Sequence, residues 1–403
     1  MRIGVLTFYN VANFGANLQA LSTYRYLQKK GHDPLFINYN SKEEAELHQK
    51  KMLDVQYKTH IDFVKKYIER QTEECLSIDD VESVIEKYNI DGIFVGSDAV
   101  LQHHPLLARI KASKSKLLFV QRFYENRNFP NPYWGINYSH RIPTAFFSVS
   151  SQNSEYGLIA PWLRMKMSQS LKRVKYISVR DSWTQKMVKH ISGKDVDITP
   201  DPVFAYNFNA PDTVLSLKEL KGKFNLPDKY LLISLRDQSL PENVLNQIKE
   251  MFASKGISCV AMTMPSGVKF THHFDYEIAP PLKPNEWFSL IKNAYGYVGS
   301  NMHPIIVSLH NAVPCVSIDN WGRKNFFNKK IDDGSSKVEH IMKEFNVDSN
   351  HFMIKHKICP ITAKEIFECI ESFPIENVKK HAMIMYERYK KAMDEALDSL
   401  QCS

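Results

Sequence analysis

The 403 residues predict an α/β protein of two facing Rossmann-like domains, with a C-terminal helix packing across them. Three observations carry that prediction. Apolar strands alternate with segments of helical period in two successive halves. A break rich in Pro and Asn, NFNAPDT at 207–213, separates the halves. The stretch from 374 to 400 is one long amphipathic helix. Strand–helix alternation implies parallel sheets, which bind ligands in the crevice at the C-terminal ends of their strands. Length alone favours more than one core. The boundaries fall at 1–208, 209–373 and 374–403.

Each element follows from its local pattern. Met1–Phe8 reads as an apolar strand, 11–17 as a polar turn, and 18–30 as a helix with Leu18, Leu21, Tyr24 and Leu27 on one face. Gly31 stops it, and DPLFINYN is the next strand, which completes one βαβ unit. Residues 41–74 are charged and read as a helical insertion, followed by the helix DDVESVIEKYNI and the buried strand of DGIFVGSDAV. Weak periodicity over 103–141 gives no element there. TAFFSVSSQ and YISVRDSWTQKMVKHI supply two more strands and a helix. In the second half KYLLISLRD, ISCVAMTM, the YGYVGS end of 284–300 and VPCVSID read as strands. PENVLNQIKEMFASKG, the start of 284–300 and HPIIVSLHNA read as helices.

Composition narrows the function classes. The formal charge of +8 is spread without a long basic block. That argues against a nucleic-acid arm and leaves room for anionic ligands or an anionic membrane face. Six cysteines without CxxC spacing predict neither a metal site nor a disulfide framework. MRIGVLTFYN lacks the features of a signal peptide, and no run of about eighteen apolar residues could span a bilayer. The expected location is the cytoplasm, with the inner face of the membrane within reach.

Candidate chemistry gathers at strand ends. The turn NVANFGANLQA has one glycine, Gly15, where a dinucleotide loop has three. Its Asn13, Asn17 and Gln19 suit sugar hydroxyls or a backbone-held phosphate, although turn formation and capping explain the same residues. GSDAV puts Ser97 and Asp98 after a strand, where Asp98 can take a proton from an attacking hydroxyl or cap a helix. Ser148, Ser150 and Ser151 have no GxSxG elbow, which argues against a serine hydrolase. Arg180 in ISVRDSWT suits a carboxylate or phosphate, with an ion pair to Asp181 or Asp201 as the structural alternative. Arg236 in LLISLRD repeats that position in the second half. Gly299, Ser300 and Asn301 precede a helix whose first turn carries His303 and Pro304. Such an N-terminus favours anions, and the imidazole can exchange a proton near neutrality. Lys324 follows the next strand on the same sheet edge, whereas His310 reads as structural.

At these residues the sequence resembles the polysaccharide pyruvyl transferase family. MRIGVLTFYNVANFGANLQAL, GSDAV, YISVRDSWT, DITPDPVF, GSNMHP and NWGRK stand in that family's order over most of residues 1–330. The resemblance implies a GT-B-like pair of domains. It also implies transfer of the enolpyruvyl-derived group of phosphoenolpyruvate onto two hydroxyls of a sugar in a cell-surface polysaccharide precursor, giving a pyruvate ketal. Phosphoenolpyruvate is then a co-substrate, no cofactor or metal is required, and the acceptor is a glycan or lipid-linked sugar. Arg180, His303 and Lys324 are carried over to the donor. Arg236, Ser300 and Asn301 complete the donor-binding set, His303 is the general acid and Asp98 the base. Asn13, Asn17, Gln19 and Ser97 form the acceptor side. Three departures stand out: Asn301-Met302-His303 replaces Arg-Leu-His, Ala99-Val100-Leu101 replaces a Gln and an aromatic, and SVSSQ replaces AxSFG. A GT-B-type glycosyltransferase using a nucleotide-sugar and a catalytically silent glycan-binding homologue remain alternatives.

Overall fold

A computed structural model describes residues 1–401 apart from 52–53, 114–115, 122, 124–126, 236–238, 263–273, 320–322, 330, 332–335 and 355–357. The first half runs β1 (Arg2–Leu6), α1 (Phe14–Lys29), β2 (Asp33–Tyr39), α2 (Lys42–Lys51), α3 (Val55–Tyr67), β3 (Gln71–Cys75), α4 (Ile78–Lys87) and β4 (Gly92–Val95). It continues with α5 (Leu106–Arg109), β5 (Ile110–Ser113), β6 (Lys116–Val120), β7 (Thr144–Val149), α6 (Pro161–Arg173), β8 (Tyr176–Val179), α7 (Ser182–Ser192) and β9 (Asp197–Ile198). Seven of these strands form a sheet in the order β3-β2-β1-β4-β7-β8-β9, every pair parallel. β5 and β6 form a separate antiparallel ribbon.

Two short helices, α8 (Tyr206–Asn209) and α9 (Leu217–Phe224), lead into the second half. There follow β10 (Tyr230–Ser234), α10 (Glu242–Ala253), β11 (Ser258–Met262), β12 (Tyr276–Ile278), α11 (Pro284–Lys292), β13 (Gly296–Gly299) and α12 (Met302–His310). The chain then forms β14 (Cys315–Asp319), α13 (Lys337–Glu344), β15 (His351–Met353), α14 (Ala363–Glu371) and α15 (Ile375–Gln401). The second sheet, β12-β11-β10-β13-β14-β15, is also parallel throughout. Strand order reverses between β1 and β4 in one sheet and between β10 and β13 in the other. Those two reversals are where an open α/β sheet parts to admit a ligand.

The central strands are buried on both faces, as the apolar runs GIFV, TAFFSV, YLLIS and CVSID require. QTEEC, expected within a helical insertion, is the edge strand β3, and the ribbon β5–β6 lies in the stretch of weak periodicity. The first helix begins at Phe14 rather than Leu18, because the Asn13 side chain accepts from the Ala16 N–H at 3.2 Å and caps it there.

One apolar cluster joins the two halves. Phe14 stacks on Trp287 at 5.1 Å, Tyr206 lies 4.6 Å from Phe288, and Phe204 stacks on Phe345 at 5.6 Å. α15 belongs to the same cluster. Its buried face, from Val378 to Leu400, crosses from α12 onto β7 and β8 of the first sheet. Among the described residues no helix is long and apolar enough to cross a membrane.

Candidate functional site

The C-terminal ends of both sheets face each other across a cleft holding two adjacent cavities. The first, of about 290 Å³, is lined by Asn13, Gly15, Asp98, Arg180, Asn301, His303 and Lys337, with Trp287 and Val338 among its apolar walls. The second, of about 270 Å³, lies wholly on the first domain, between the β1–α1 turn and Tyr39, Asn40, Tyr57 and Tyr133. Ala12, Asn13, Asp98 and Gln152 line both. Asp98 therefore stands on the boundary.

Three helices open onto the first cavity: α1 through its cap Asn13, α12 through Asn301 and His303, and α13 through Lys337 at its first position. Unsatisfied N–H groups and the macrodipole make each such end favourable to anions. Arg180 adds a fixed charge. Its Nη1 donates to Asp201 at 2.7 Å and its Nη2 is 3.7 Å from Asp98. Its buried Nε and Nη2 make no hydrogen bond within the protein. The ion pair with Asp201 proposed as the structural alternative is thus present, and two further donor groups remain for a ligand.

The ring of His303 lies against the backbone of Gly15. A Cβ on Gly15 would stand 2.0 Å from the imidazole Cγ, so only glycine allows the second domain to bring His303 up to α1. Nε2 of His303 is buried without a hydrogen bond, 3.8 Å from Asp201. Burial lowers its pKa; Asp201 acts the other way, and Arg180 reinforces the lowering. A general acid there gains from an arriving anion, which lifts that pKa again. Burial pushes Lys337 down to about 8, helped by the Arg180 charge and opposed by Asp181, Asp98 and Asp201. Burial alone would raise Asp98, but Arg180, then His303 and Lys337, bring it below the usual carboxylate value. Asp98 (φ 98°) and Asn301 (φ 78°) are both held at positive φ. Such conformations cost about 1–3 kcal/mol each and persist where surroundings impose them.

Several expected site residues lie elsewhere. Lys324 does not line the cavity. Its carbonyl accepts from Lys111 Nζ at 2.9 Å on the β5–β6 ribbon, and Lys337 occupies the position on the cavity wall that Lys324 was expected to fill. Arg236 lies outside the described residues. Asn17, Gln19 and Ser97 line neither cavity, because their side chains are consumed in bracing. Asn17 Nδ2 donates to the Tyr9 and Val11 carbonyls, which leaves its Oδ1 to accept from His60 Nδ1 at 2.6 Å. Gln19 donates to Thr7, Thr7 donates to the Ser97 carbonyl, and Ser97 Oγ donates to the Ser148 carbonyl. This chain ties the end of β1 to that of β4 and sets Asp98. Ser300 is likewise buried, its hydroxyl donating to Ile318 O at 2.8 Å. Of the expected set, Asn13, Asp98, Arg180, Asn301 and His303 meet in one cavity.

Sequence reasoning missed Lys337, the approach of Asp201 to His303 and the close packing of Gly15. Ser336 followed by Glu339 is a helix-start signature that would have placed Lys337 at an N-terminus. Asp319 at the end of β14 fixes that start, since Ser336 donates to it and His351 lies 3.0 Å away.

Comparison with known proteins bears on the family and the fold. The family model described as polysaccharide pyruvyl transferase matches residues 13–322. A comparison with curated sequences gives no match. Among solved structures, UDP-GlcNAc 2-epimerase from Neisseria meningitidis bound to UDP-GlcNAc superposes with a TM-score of 0.53 at 13% identity, covering 98% of each chain. The Methanocaldococcus jannaschii UDP-GlcNAc 2-epimerase gives 0.53 at 11%, covering 95% of this chain and 98% of that one. The Rickettsia bellii enzyme gives 0.51 at 11%, covering 98% and 96%. At these identities the likeness concerns the fold, two facing Rossmann-like domains of GT-B type.

Proposed function

The chain belongs to the polysaccharide pyruvyl transferase family, and from that premise we propose that it moves the enolpyruvyl-derived group of phosphoenolpyruvate onto a sugar of a cell-surface polysaccharide precursor as a pyruvate ketal. The observation that carries this reading is the pair of cavities sharing Asp98. One is lined by Arg180 and Lys337 and met by three helix N-termini, and so suits a compact anion. The other offers aromatic faces and side-chain amides, which suit a sugar.

The chemistry divides accordingly. Arg180, Lys337 and the three helix ends receive the carboxylate and phosphate of the donor. Their arrival adds negative charge beside His303 and raises its pKa, which favours the protonated ring that a general acid needs. Transfer of that proton to the donor methylene leaves an oxocarbenium-like carbon. A sugar hydroxyl from the second cavity attacks it, and Asp98 accepts the hydroxyl proton. Phosphate then leaves that carbon, and a second hydroxyl of the same sugar adds in its place and closes the ketal, its proton passing to the His303 imidazole that had given its own to the methylene. The cations and helix ends that held the phosphate stabilise it as it leaves.

Donor-dependent thermal stabilisation and turnover test the proposal. Phosphoenolpyruvate should raise the unfolding temperature of the native protein, and the rise should shrink in Lys337→Met. His303→Asn should keep the rise but lose about 10²–10⁴-fold in turnover, the usual contribution of a general acid. A rise with a nucleotide-sugar instead would assign glycosyl transfer. No rise with either would assign glycan binding without catalysis.

A further inference from the structure

Beside the cleft mouth, the β5–β6 ribbon holds large apolar side chains in water. Leu117 is 97% exposed and its neighbour Leu118 64%, with Val120, Leu106 and Leu107 also exposed. Successive residues of a strand point to opposite faces, so two exposed neighbours mean that neither face of β6 is covered at Leu117 and Leu118. A two-stranded ribbon is marginal by itself. Here Ala112 N–H donates to Phe326 O at 2.8 Å, which fastens it to a turn that exposes Phe326 and Phe327. An apolar concentration of this kind marks a surface that meets a partner.

Charge identifies the partner. Among the described residues of 106–121 and 323–331 there is no Asp or Glu; Arg109, Lys116, Lys324 and Lys329 are basic, and the further cations Lys111 and Arg323 face Glu155. A second copy docked about a two-fold axis would set these like charges against each other. An anionic lipid surface would neutralise them while accepting the leucines and phenylalanines at the headgroup–acyl boundary. Position fits as well. Lys111 and Arg323 both approach Glu155, at 3.2 and 3.8 Å, and Arg323 lies over Trp183 at 5.3 Å, so the ribbon and turn pack on the segment that begins at Gln152, a residue lining both cavities. The chain leaving Glu155 carries Leu158 and Trp162, both exposed.

We propose that the β5–β6 ribbon and the Phe326–Phe327 turn form a membrane-docking face for anionic phospholipid. Docking there holds the cleft mouth against the interface at which a lipid-linked acceptor would be presented. The face is independent of which donor the cleft takes, so its test requires no turnover.

Vesicle co-sedimentation with the intact protein decides it. Partition onto vesicles containing phosphatidylglycerol should exceed that onto phosphatidylcholine alone by about tenfold or more, as expected for basic residues at about 1 kcal/mol each. It should fall in about 1 M salt, where screening acts within about 3 Å. Leu117→Asp/Leu118→Asp should lower partition about tenfold, and Phe326→Ser/Phe327→Ser should lower it independently. Ile384→Asp, on the exposed side of α15, should leave it unchanged. Equal partition onto both vesicles, or full partition by both double variants, would overturn the proposal. So would a native dimer that the substitutions split without any vesicle binding.

Discussion

Lys337 and Gly15 are the residues on which the cleft depends most directly. Lys337 is protonated below about 8 and loses its charge above it. Donor affinity for the free protein therefore falls as pH rises through that value, and kcat/KM for the donor should show a descending limb near 8. Lys337→Arg keeps the charge at higher pH and should move the limb upward; an identical limb in both proteins would remove Lys337 from donor binding. Gly15 is constrained by packing. Gly15→Ala puts a methyl group into the imidazole of His303, and displacing a catalytic group by about 1 Å can cost about 10²-fold in rate. Gly222 in α9 makes a direct control, since a Cβ there meets open space. Gly222→Ala should stabilise by roughly 0.5–1 kcal/mol, measured by chemical denaturation, with activity retained.

Among the elements, those with strong apolar patterns were legible and those at edges were not. GIFV, TAFFSV, YLLIS and CVSID could only be buried strands, and HPIIVSLH with Gly-Ser-Asn before it could only begin a helix at the crevice. The polar QTEEC carries no strand pattern, yet it forms β3. An edge strand needs no continuous apolar run, and its pairing with β2 supplies what propensity does not. Lys324 follows β14 in the chain, yet its carbonyl meets Lys111 of the ribbon, and α13 brings Lys337 to the cavity wall. Spacing along the chain orders elements without fixing the path of a long loop. α15 was legible as a helix and as a bridge, and its energetics rest on Tyr389. That ring lies edge-on to Tyr26 at 5.4 Å and Phe147 at 5.8 Å, and its hydroxyl accepts from Asn209 at 3.1 Å. Tyr389→Ala should cost about 3–5 kcal/mol, the range for large aromatic truncations, read as a lower denaturation midpoint at unchanged slope.

For the whole molecule, the shared core decides how far the two domains can act as separate bodies. Domains of one chain often meet through small polar contacts and move freely. Here Phe14–Trp287, Tyr206–Phe288 and Phe204–Phe345 extend one apolar cluster through both halves, and α15 is packed into it. Opening the cleft by separating the domains would expose those rings, so ligand entry falls to the loops at the cleft mouth. It follows that neither half should unfold first. Scanning calorimetry should record one transition, with calorimetric and van't Hoff enthalpies equal. A donor held between Arg180 and His303 should shift that transition as a unit, by linkage to the folded state alone. Trp287→Ala removes the ring that stacks on Phe14 and should resolve the peak into two, only one of which responds to phosphoenolpyruvate. Two transitions in the native protein would instead mean that the shared cluster is too weak to couple the halves, and that domain opening belongs to the reaction cycle.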